Sequence, residues 1–428
     1  MRTVILLLYV GLVVLGSHAE AVVSRTTEYH TLKMSLTADK TLNIILPDGV
    51  FATGFVKDQN GHPVKGAFVS AMLQEGLVAA VGGYTDATGK FNLAVQPGGT
   101  YTFFVTPPTS PSVSPSTFSR LLRNKLENIS VTGDTSVGTI VLSNGFILSG
   151  KVLSPSGPLG MFGGVFWTFP ATGGSIGFQA AQFGAPPAGS TQYATALAAG
   201  SYKSVLIPFL AYSSNFQTTA VTYSTNNFTI NSDKTMDLKL RNGFLLSGTI
   251  KDAVGKPLKG FVWIYQKGAS YELGVYVAVA ISSTGKYQTY LPKGNFTAIY
   301  IPVQDPAYTG RAAMTSQDLA MPAGSKVLNI TARNGVILSG KVTDAHNHVM
   351  KSSGVMLRGS GNNPWGPSQI TYAAFATTTS TGLYRVVVPA GTDDVIAFPQ
   401  INPTKPKSPE AAALDQVRRM LANSDSDH

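Results

Sequence analysis

A nine-residue motif recurs along the chain at nearly constant spacing and restricts the fold more than any other feature. The clearest copies are NGFILSGKV at 144–152, NGFLLSGTI at 242–250 and NGVILSGKV at 335–343. A looser copy, DGVFATGFV, lies at 48–56, and the shared glycines of successive copies are 92 to 98 residues apart. A fixed period of this length indicates tandem structural units rather than one large domain.

Two further segments repeat with the same period. TGKFNLAVQPGG begins at Thr88, TGKYQTYLPKGN at Thr284 and TGLYRVVVPAGT at Thr381, while the second unit is divergent here. A leading segment precedes the motif, since TADKTLNIILPDGV at 37–50 matches NSDKTMDLKLRNGF at 231–244. Counted from this leading segment, the chain contains four units.

The pattern inside each unit is that of short strands. Val, Ile, Phe, Tyr and Thr alternate with polar or small residues, and turn residues such as Gly89, Gly285 and Gly382 interrupt them every few positions. No long helical stripe appears within the units. The sequence therefore predicts an all-β fold, a tandem array of four antiparallel β-sandwich modules.

The N-terminus has the features of a signal peptide. Arg2 precedes an apolar run from Val4 to Leu15, and small residues favour cleavage after Ala19 or Ala21. With the repeat, this divides the chain into a signal peptide at 1–21, module I at 34–127, divergent module II at 128–226, module III at 227–326, module IV at 327–400, and a linker, short helix and disordered tail at 401–428.

Composition restricts the compartment and the partners. No later apolar stretch approaches the roughly 20 residues of a membrane span, so we expect a secreted protein, extracellular or in the cell envelope. The chain has no cysteine, and its formal charge of +10 is spread over units in which 13% of residues are charged. The densest basic cluster, Arg120, Arg123 and Lys125, lacks interleaved aromatic residues. We therefore predict a solvated surface there and no nucleic-acid partner.

The turn residues of the units carry a family resemblance. A strand is followed by Asp, Gly and Pro, then by Gly before a second strand, and then by a Thr-Gly turn. The residues that match in the first and third units are Asp58, Gly61, Pro63, Gly66, Asp252, Gly255, Pro257 and Gly260. Over about residues 35–400 the chain resembles tandem carboxypeptidase regulatory-like domains, and it is similar to transthyretin-like and starch-binding-like sandwiches. The resemblance implies a prealbumin-like or immunoglobulin-like sandwich, an accessory module used for stability, spacing or attachment without catalysis of its own.

Residues with the chemistry of an enzyme are scarce. Neither His-Glu-x-x-His nor a phosphate-binding glycine loop occurs, and the chain has no cysteine nucleophile, so we predict no enzymatic activity, no catalytic residue and no cofactor. Asp344, His346 and His348 are the one local group with ligand-like chemistry. We interpret them as a polar turn and predict no metal site.

Three tryptophans and four sequons are the candidate interaction and modification sites. Trp167 and Trp263 lie at equivalent strand positions, where core packing competes with ligand binding, and Trp365 lies in the predicted loop NNPWGP. The sequons begin at Asn128, Asn227, Asn295 and Asn329, and matter if the host glycosylates exported chains.

Three functional hypotheses follow. The first is an extracellular or cell-surface structural or adhesive repeat protein without catalysis, which needs only export, repeated sandwiches and strand edges available for contact. The second is an array of carbohydrate-binding modules, and the third is an accessory subunit of a partner enzyme. The candidate partners are accordingly a glycan or a surface protein.

Overall fold

The structure is a computed structural model and consists, where it is described, of β-strands. It describes residues 25–73, 81–108, 119–153, 164–170, 179–183, 192–208, 220–221, 223–224, 227–267, 276–302, 310–359 and 373–399. Every regular element in these ranges is a strand, so the all-β prediction is confirmed. The predicted signal peptide and C-terminal tail lie outside the described residues.

The strands are numbered in chain order. The first ten are β1 Tyr29–Leu36, β2 Lys40–Thr41, β3 Ile44–Leu46, β4 Val50–Asp58, β5 Phe68–Leu73, β6 Val81–Tyr84, β7 Lys90–Val95, β8 Gly99–Thr106, β9 Asn124–Val131 and β10 Thr135–Leu142. They are followed by β11 Phe146–Leu153, β12 Gly164–Pro170, β13 Gln179–Phe183, β14 Gln192–Leu197, β15 Gly200–Pro208, β16 Ala220–Val221, β17 Tyr223–Ser224, β18 Phe228–Ile230, β19 Lys234–Thr235, β20 Leu238–Lys239 and β21 Arg241–Asn242. The last are β22 Phe244–Lys251, β23 Gly260–Gln266, β24 Tyr276–Ile281, β25 Lys286–Leu291, β26 Gly294–Pro302, β27 Thr315–Met321, β28 Lys326–Val327, β29 Ile330–Thr331, β30 Val336–Asp344, β31 Gly354–Gly359, β32 Ala373–Thr377, β33 Leu383–Val388 and β34 Gly391–Phe398.

These strands form pairs of sheets, and the two sheets of each pair enclose a hydrophobic core. In the first sheet pair, β10-β4-β7 faces β6-β5-β8-β9, and Val56, Phe91 and Phe103 belong to the common core. The second pair is built from β11 to β20, the third from β22 to β29, and the fourth from β30 to β34 together with β1 to β3. The same strand order recurs in each, as the sequence repeat requires.

Alternating burial explains why these segments form strands. In β4, Ala52, Gly54 and Val56 are buried while Phe55 between them is exposed, which is the period of two that places one face on a core. The hairpin into β7 turns at Gly89, whose φ of +75° a residue with a side chain rarely adopts.

Two kinds of strand precede each repeat motif, one just before the leading segment and one within it. In the first sheet pair β9 runs antiparallel to β8, whereas β10 runs parallel to β4. Antiparallel pairing dominates as predicted, but the sheets are mixed at this position. The reason is connectivity, because the chain leaves one sheet, crosses to the other and continues directly into the first strand of the next pair.

The sheet pairs are therefore offset from the sequence units. The leading segment of each unit completes the preceding pair, and β1, β2 and β3 complete the fourth. Leu36, Ile44 and Leu46 are at most 1% exposed within the core of this fourth pair. The order of shared strands thus closes on itself, from the fourth pair back to the first. Modules I to IV follow the sequence repeat, whereas each sheet pair takes its last strands from the leading segment of another unit.

Neighbouring sheet pairs also pack on each other. Ile299 and Met314, which belong to the strands and connection of the third pair, are buried in the hydrophobic cluster of the fourth. Short antiparallel bridges join each connection to the start of the following pair, at Leu121 with Asn144, Ala312 with Asn334 and Thr26 with Asp48. The bridge at Thr26 shows that the closing junction is built like those between consecutive pairs.

Candidate functional site

The tryptophans have different surroundings. Trp263 in β23 is half-buried and packs with Tyr265 against the hydrophobic cluster of the fourth sheet pair. The backbone of Trp167 in β12 pairs with Ala180 and Val205, and Trp365 lies outside the described residues. The structure therefore brings Trp263 to a junction between sheet pairs and does not bring it together with a second tryptophan among the described side chains.

The sequons lie on strands or at their ends. Asn128, Asn227 and Asn295 are exposed, and Asn128 occupies a bulge with a φ of +61°. Asn329 is exposed too, but its Oδ1 accepts hydrogen bonds from the backbone N and hydroxyl of Thr249, both at 3.0 Å. Glycosylation at these positions remains a prediction.

The Asp344 group forms a hydrogen-bonded turn. Oδ1 of Asp344 accepts from the backbone N of His346 at 2.9 Å and of His348 at 2.8 Å. Its Oδ2 lies 3.0 Å from Nδ1 of His348, and Asp58 binds the equivalent turn of the first pair in the same way. No three His, Cys, Asp or Glu residues of the described chain are placed to hold a metal ion.

The predicted basic cluster is largely ion-paired. Arg120 forms a bidentate pair with Asp233, at 2.8 and 2.6 Å, and Lys125 contacts Glu127. These pairs offset the positive charge that a polyanion would require. None of the described residues forms a helix of the length and apolarity needed to cross a membrane.

The most specific arrangement in the described structure is the seat of the closing segment, residues 29–46, on the fourth sheet pair. The backbone N of Leu42 donates to the carbonyl of Ser339 at 2.8 Å, and the Leu42 carbonyl accepts from the Tyr384 hydroxyl at 2.8 Å. Burial raises the pKa of Tyr384, so the hydroxyl stays protonated as the donor. A Cβ on Gly340 would come closer than 3.0 Å to the Leu42 carbonyl.

This arrangement explains why the glycine of Leu-Ser-Gly and the tyrosine of the facing strand recur. In the second pair the serine carbonyl and the tyrosine hydroxyl bind Met236, and in the third they bind Leu328. The glycine lets the leading strand approach, the main-chain carbonyl of the preceding residue accepts a hydrogen bond, and the tyrosine hydroxyl donates one. These three residues together form the receptor for the leading segment, a role that the sequence pattern alone does not reveal.

Arginine–aspartate pairs fix the start of the leading segment at three junctions. Arg311 binds Asp39 at 3.0 and 2.6 Å across the fourth pair, and Oδ1 of Asp39 also accepts from the backbone N of Ile337. Arg25 binds Asp134 in the same bidentate manner. At the position equivalent to these aspartates, the third pair has Ser325.

Acid is expected to weaken these junctions. The hydrogen bond from Arg120 is the main cause that lowers the pKa of Asp233 to about 2, and the Arg311 guanidinium likewise lowers the pKa of Asp39. A carboxylate with a depressed pKa in the folded state stabilises the fold above its ordinary pKa of 3.8, and this contribution is lost as the pH falls from about 4 towards 2.

A comparison of Asp233→Asn with the parent protein tests this expectation. The variant should be less stable in urea at pH 7, and the difference should shrink as the pH falls through this window. Ser325→Asn is the control at the equivalent uncharged position and should show no pH-dependent difference. An Asp233→Asn deficit that is the same at pH 7 and pH 2 would contradict the role of the ion pair.

No protein-family model matches the chain, and no curated protein matches it. Among solved structures it is similar to the Bacillus anthracis TIE protein, at 12% identity and a TM-score of 0.18, over 67% of this chain and 51% of that one. It is also similar to BcpA, the major pilin subunit of Bacillus cereus, at 11% identity and a TM-score of 0.18, over 67% of this chain and 99% of that one.

A third solved structure matches a smaller part. This is a type II cohesin–X-dockerin complex from Acetivibrio cellulolyticus, at 21% identity and a TM-score of 0.17, over 23% of this chain and 59% of that one. The chain thus spans about half the length of the Bacillus anthracis protein and 59% of the matched chain in the complex. TM-scores of this size do not establish a common overall fold, and no function is transferred from these proteins.

Proposed function

We propose that this protein is a secreted, non-catalytic structural or adhesive protein of the cell surface or envelope, built from four β-sandwich modules. The observation that carries the proposal is the sharing of strands between successive sheet pairs. Backbone ladders, buried apolar contacts and ion pairs hold neighbouring sheet pairs together at these junctions, in addition to the covalent chain. Such an array suits an attachment body whose sheet pairs are fixed to one another.

The finer parts of the proposal come from the sequence. The apolar run before Ala19 and Ala21 supports export, and the turn residues support a carboxypeptidase regulatory-like module used for spacing or attachment. The absence of cysteine fits modules that are held by core burial and backbone pairing, and the buried tyrosines and leucines of each pair provide that burial.

Export is tested by expressing the full chain with a C-terminal tag and fractionating the cells. We expect the protein in the medium or envelope fraction, with a mature N-terminus at Glu20 or Val22 by N-terminal sequencing. Replacing Leu7 and Leu8 by aspartate should retain the chain inside the cell, because the apolar run is then interrupted. An unprocessed parent chain in the cytoplasm would contradict the proposal.

Carbohydrate binding is the alternative that the sequence still supports, through Trp365 in its Asn-Pro and Gly-Pro context. A panel of polysaccharides and glycans, with Trp365→Ala as the paired variant, separates the two proposals. Saturable binding that the variant loses would assign the protein to the glycan-binding class. Isolation of an obligate complex with an enzyme would instead favour the accessory subunit.

A further inference from the structure

The closing segment differs from the other leading segments in how it is tethered. In the first pair β9 is the next strand after β8 in the chain, and residues 107–123 connect the two. In the third pair β27 is the next strand after β26, and residues 303–314 connect them. The closing segment reaches β34 only through the whole intervening chain. Among the described junctions, the closing one is therefore the one whose donor and acceptor are not neighbours in sequence.

The contacts that hold the closing segment are extensive but entirely non-covalent. β1 forms a ladder with β34 from Tyr29 opposite Ala397 to Leu36 opposite Gly391. β2 and β3 add short parallel ladders to β30. The side chains of Leu36, Ile44 and Leu46 are buried in the core of the fourth pair. The ion pair of Asp39 with Arg311 and the hydrogen bond of Tyr384 complete the seat.

All of these contacts are the same whether the segment belongs to the same chain or to a second copy. The balance between pairing within one chain and pairing with a second copy is then set by two quantities. One is the effective concentration of the tethered segment, and the other is how well the path of the chain lets the segment reach β30 and β34 of its own fourth pair. A second copy also satisfies every element of the seat in register, including the Asn43 Oδ1 that accepts from the backbone N of Lys341 at 3.1 Å.

We propose that residues 29–46 exchange between copies of this protein, so that the closing segment of one chain completes the fourth sheet pair of another. Because the segment continues into β4 of its own first pair, exchange joins the fourth pair of one chain to the first pair of the next. The product is a head-to-tail dimer or a longer chain. This inference stands on the strand pairing and is independent of the proposed surface role.

Engineered cysteines test the exchange, since the chain has none of its own. Ser35 lies opposite Thr392 across the closing ladder. Opposed residues of antiparallel strands are about 4.5 to 5.5 Å apart at Cα, which a disulfide can bridge. One preparation carries Ser35→Cys and the other Thr392→Cys. They are mixed, loosened in moderate urea, refolded at high protein concentration and oxidised.

The first sheet pair provides a matched control. Ser130 lies opposite Thr100 at the equivalent position of the β8–β9 ladder, where the donor is tethered next to its acceptor. Chains with Ser130→Cys and Thr100→Cys are mixed and treated in the same way. A single chain with both Ser35→Cys and Thr392→Cys checks the geometry, and should form an intramolecular disulfide without any mixing.

We expect a disulfide-linked dimer from the closing pair at a yield several-fold above that of the control pair, rising with protein concentration. Equal yields from the two pairs, or no dimer from the closing pair while the double variant closes intramolecularly, would overturn the exchange. Failure of the double variant to close would overturn the seat itself.

Discussion

Replacement of Ile44 by aspartate is expected to unfold the fourth sheet pair, whereas the same replacement at Ile45 is expected to leave it folded. The two neighbours point in opposite directions from β3, since Ile44 is 1% exposed and Ile45 is 55% exposed. Ile44 contributes to the core of the fourth pair with Val342 and Val355. A carboxylate at this position loses the apolar burial and has no buried partner.

The expected loss for Ile44→Asp is about 4 kcal/mol or more, from the lost burial of a large aliphatic side chain and the cost of a buried polar group. Ile45→Asp should change stability by about 0.5 kcal/mol or less. Limited proteolysis with mass spectrometry measures the effect where it occurs, because cleavage within the strands at 336–344 and 383–398 should appear in the first variant only. An intact fourth pair in Ile44→Asp would show that the N-terminal segment does not fill its core.

The second large effect is expected at Gly340. A Cβ there would approach the Leu42 carbonyl to less than 3.0 Å and would lie 3.1 Å from the Tyr384 ring. Leu42 cannot retreat without breaking its hydrogen bonds to Ser339 and Tyr384. Gly340→Ala should therefore displace the closing segment at a cost of about 2 kcal/mol or more.

Gly324→Ala is the matched control for this substitution. A Cβ at Gly324 meets nothing within 4 Å, so we expect a change of about 0.5 kcal/mol or less. Urea unfolding gives the free energies, and proteolysis within 29–46 reports displacement of the closing segment. Equal stability of the two variants would mean that the close approach of the strands is not maintained in solution.

Much of the local structure follows from the repeat. Alternation in β4 and its equivalents, the turn at Gly89 and the apolar Leu and Tyr positions are readable because a strand has a period of two and a tight turn needs a positive φ. The leading segment is also visible as a strand. Its partner is not, because hydrogen-bonded neighbours in a sheet are set by topology and not by local pattern.

The grouping of strands into sheet pairs does not follow from the repeat. The leading segment occurs before each unit, so the repeat is compatible with a unit that starts with this strand and with a unit that ends with it. The strand pairing in the structure distinguishes the two groupings, because β2 and β3 pair with β30.

The sequence by itself determined the period, the all-β class and the positions of the turns, since these depend on residue type and spacing within short windows. The tertiary structure alone decided that β10 runs parallel to β4 and that Trp263 lies at a junction between sheet pairs. It also decided that Leu36, Ile44 and Leu46 belong to a core some 300 residues away along the chain. The physical reason is that a leucine pattern states only that a face must be buried. Which partner buries it depends on the chain path between the two.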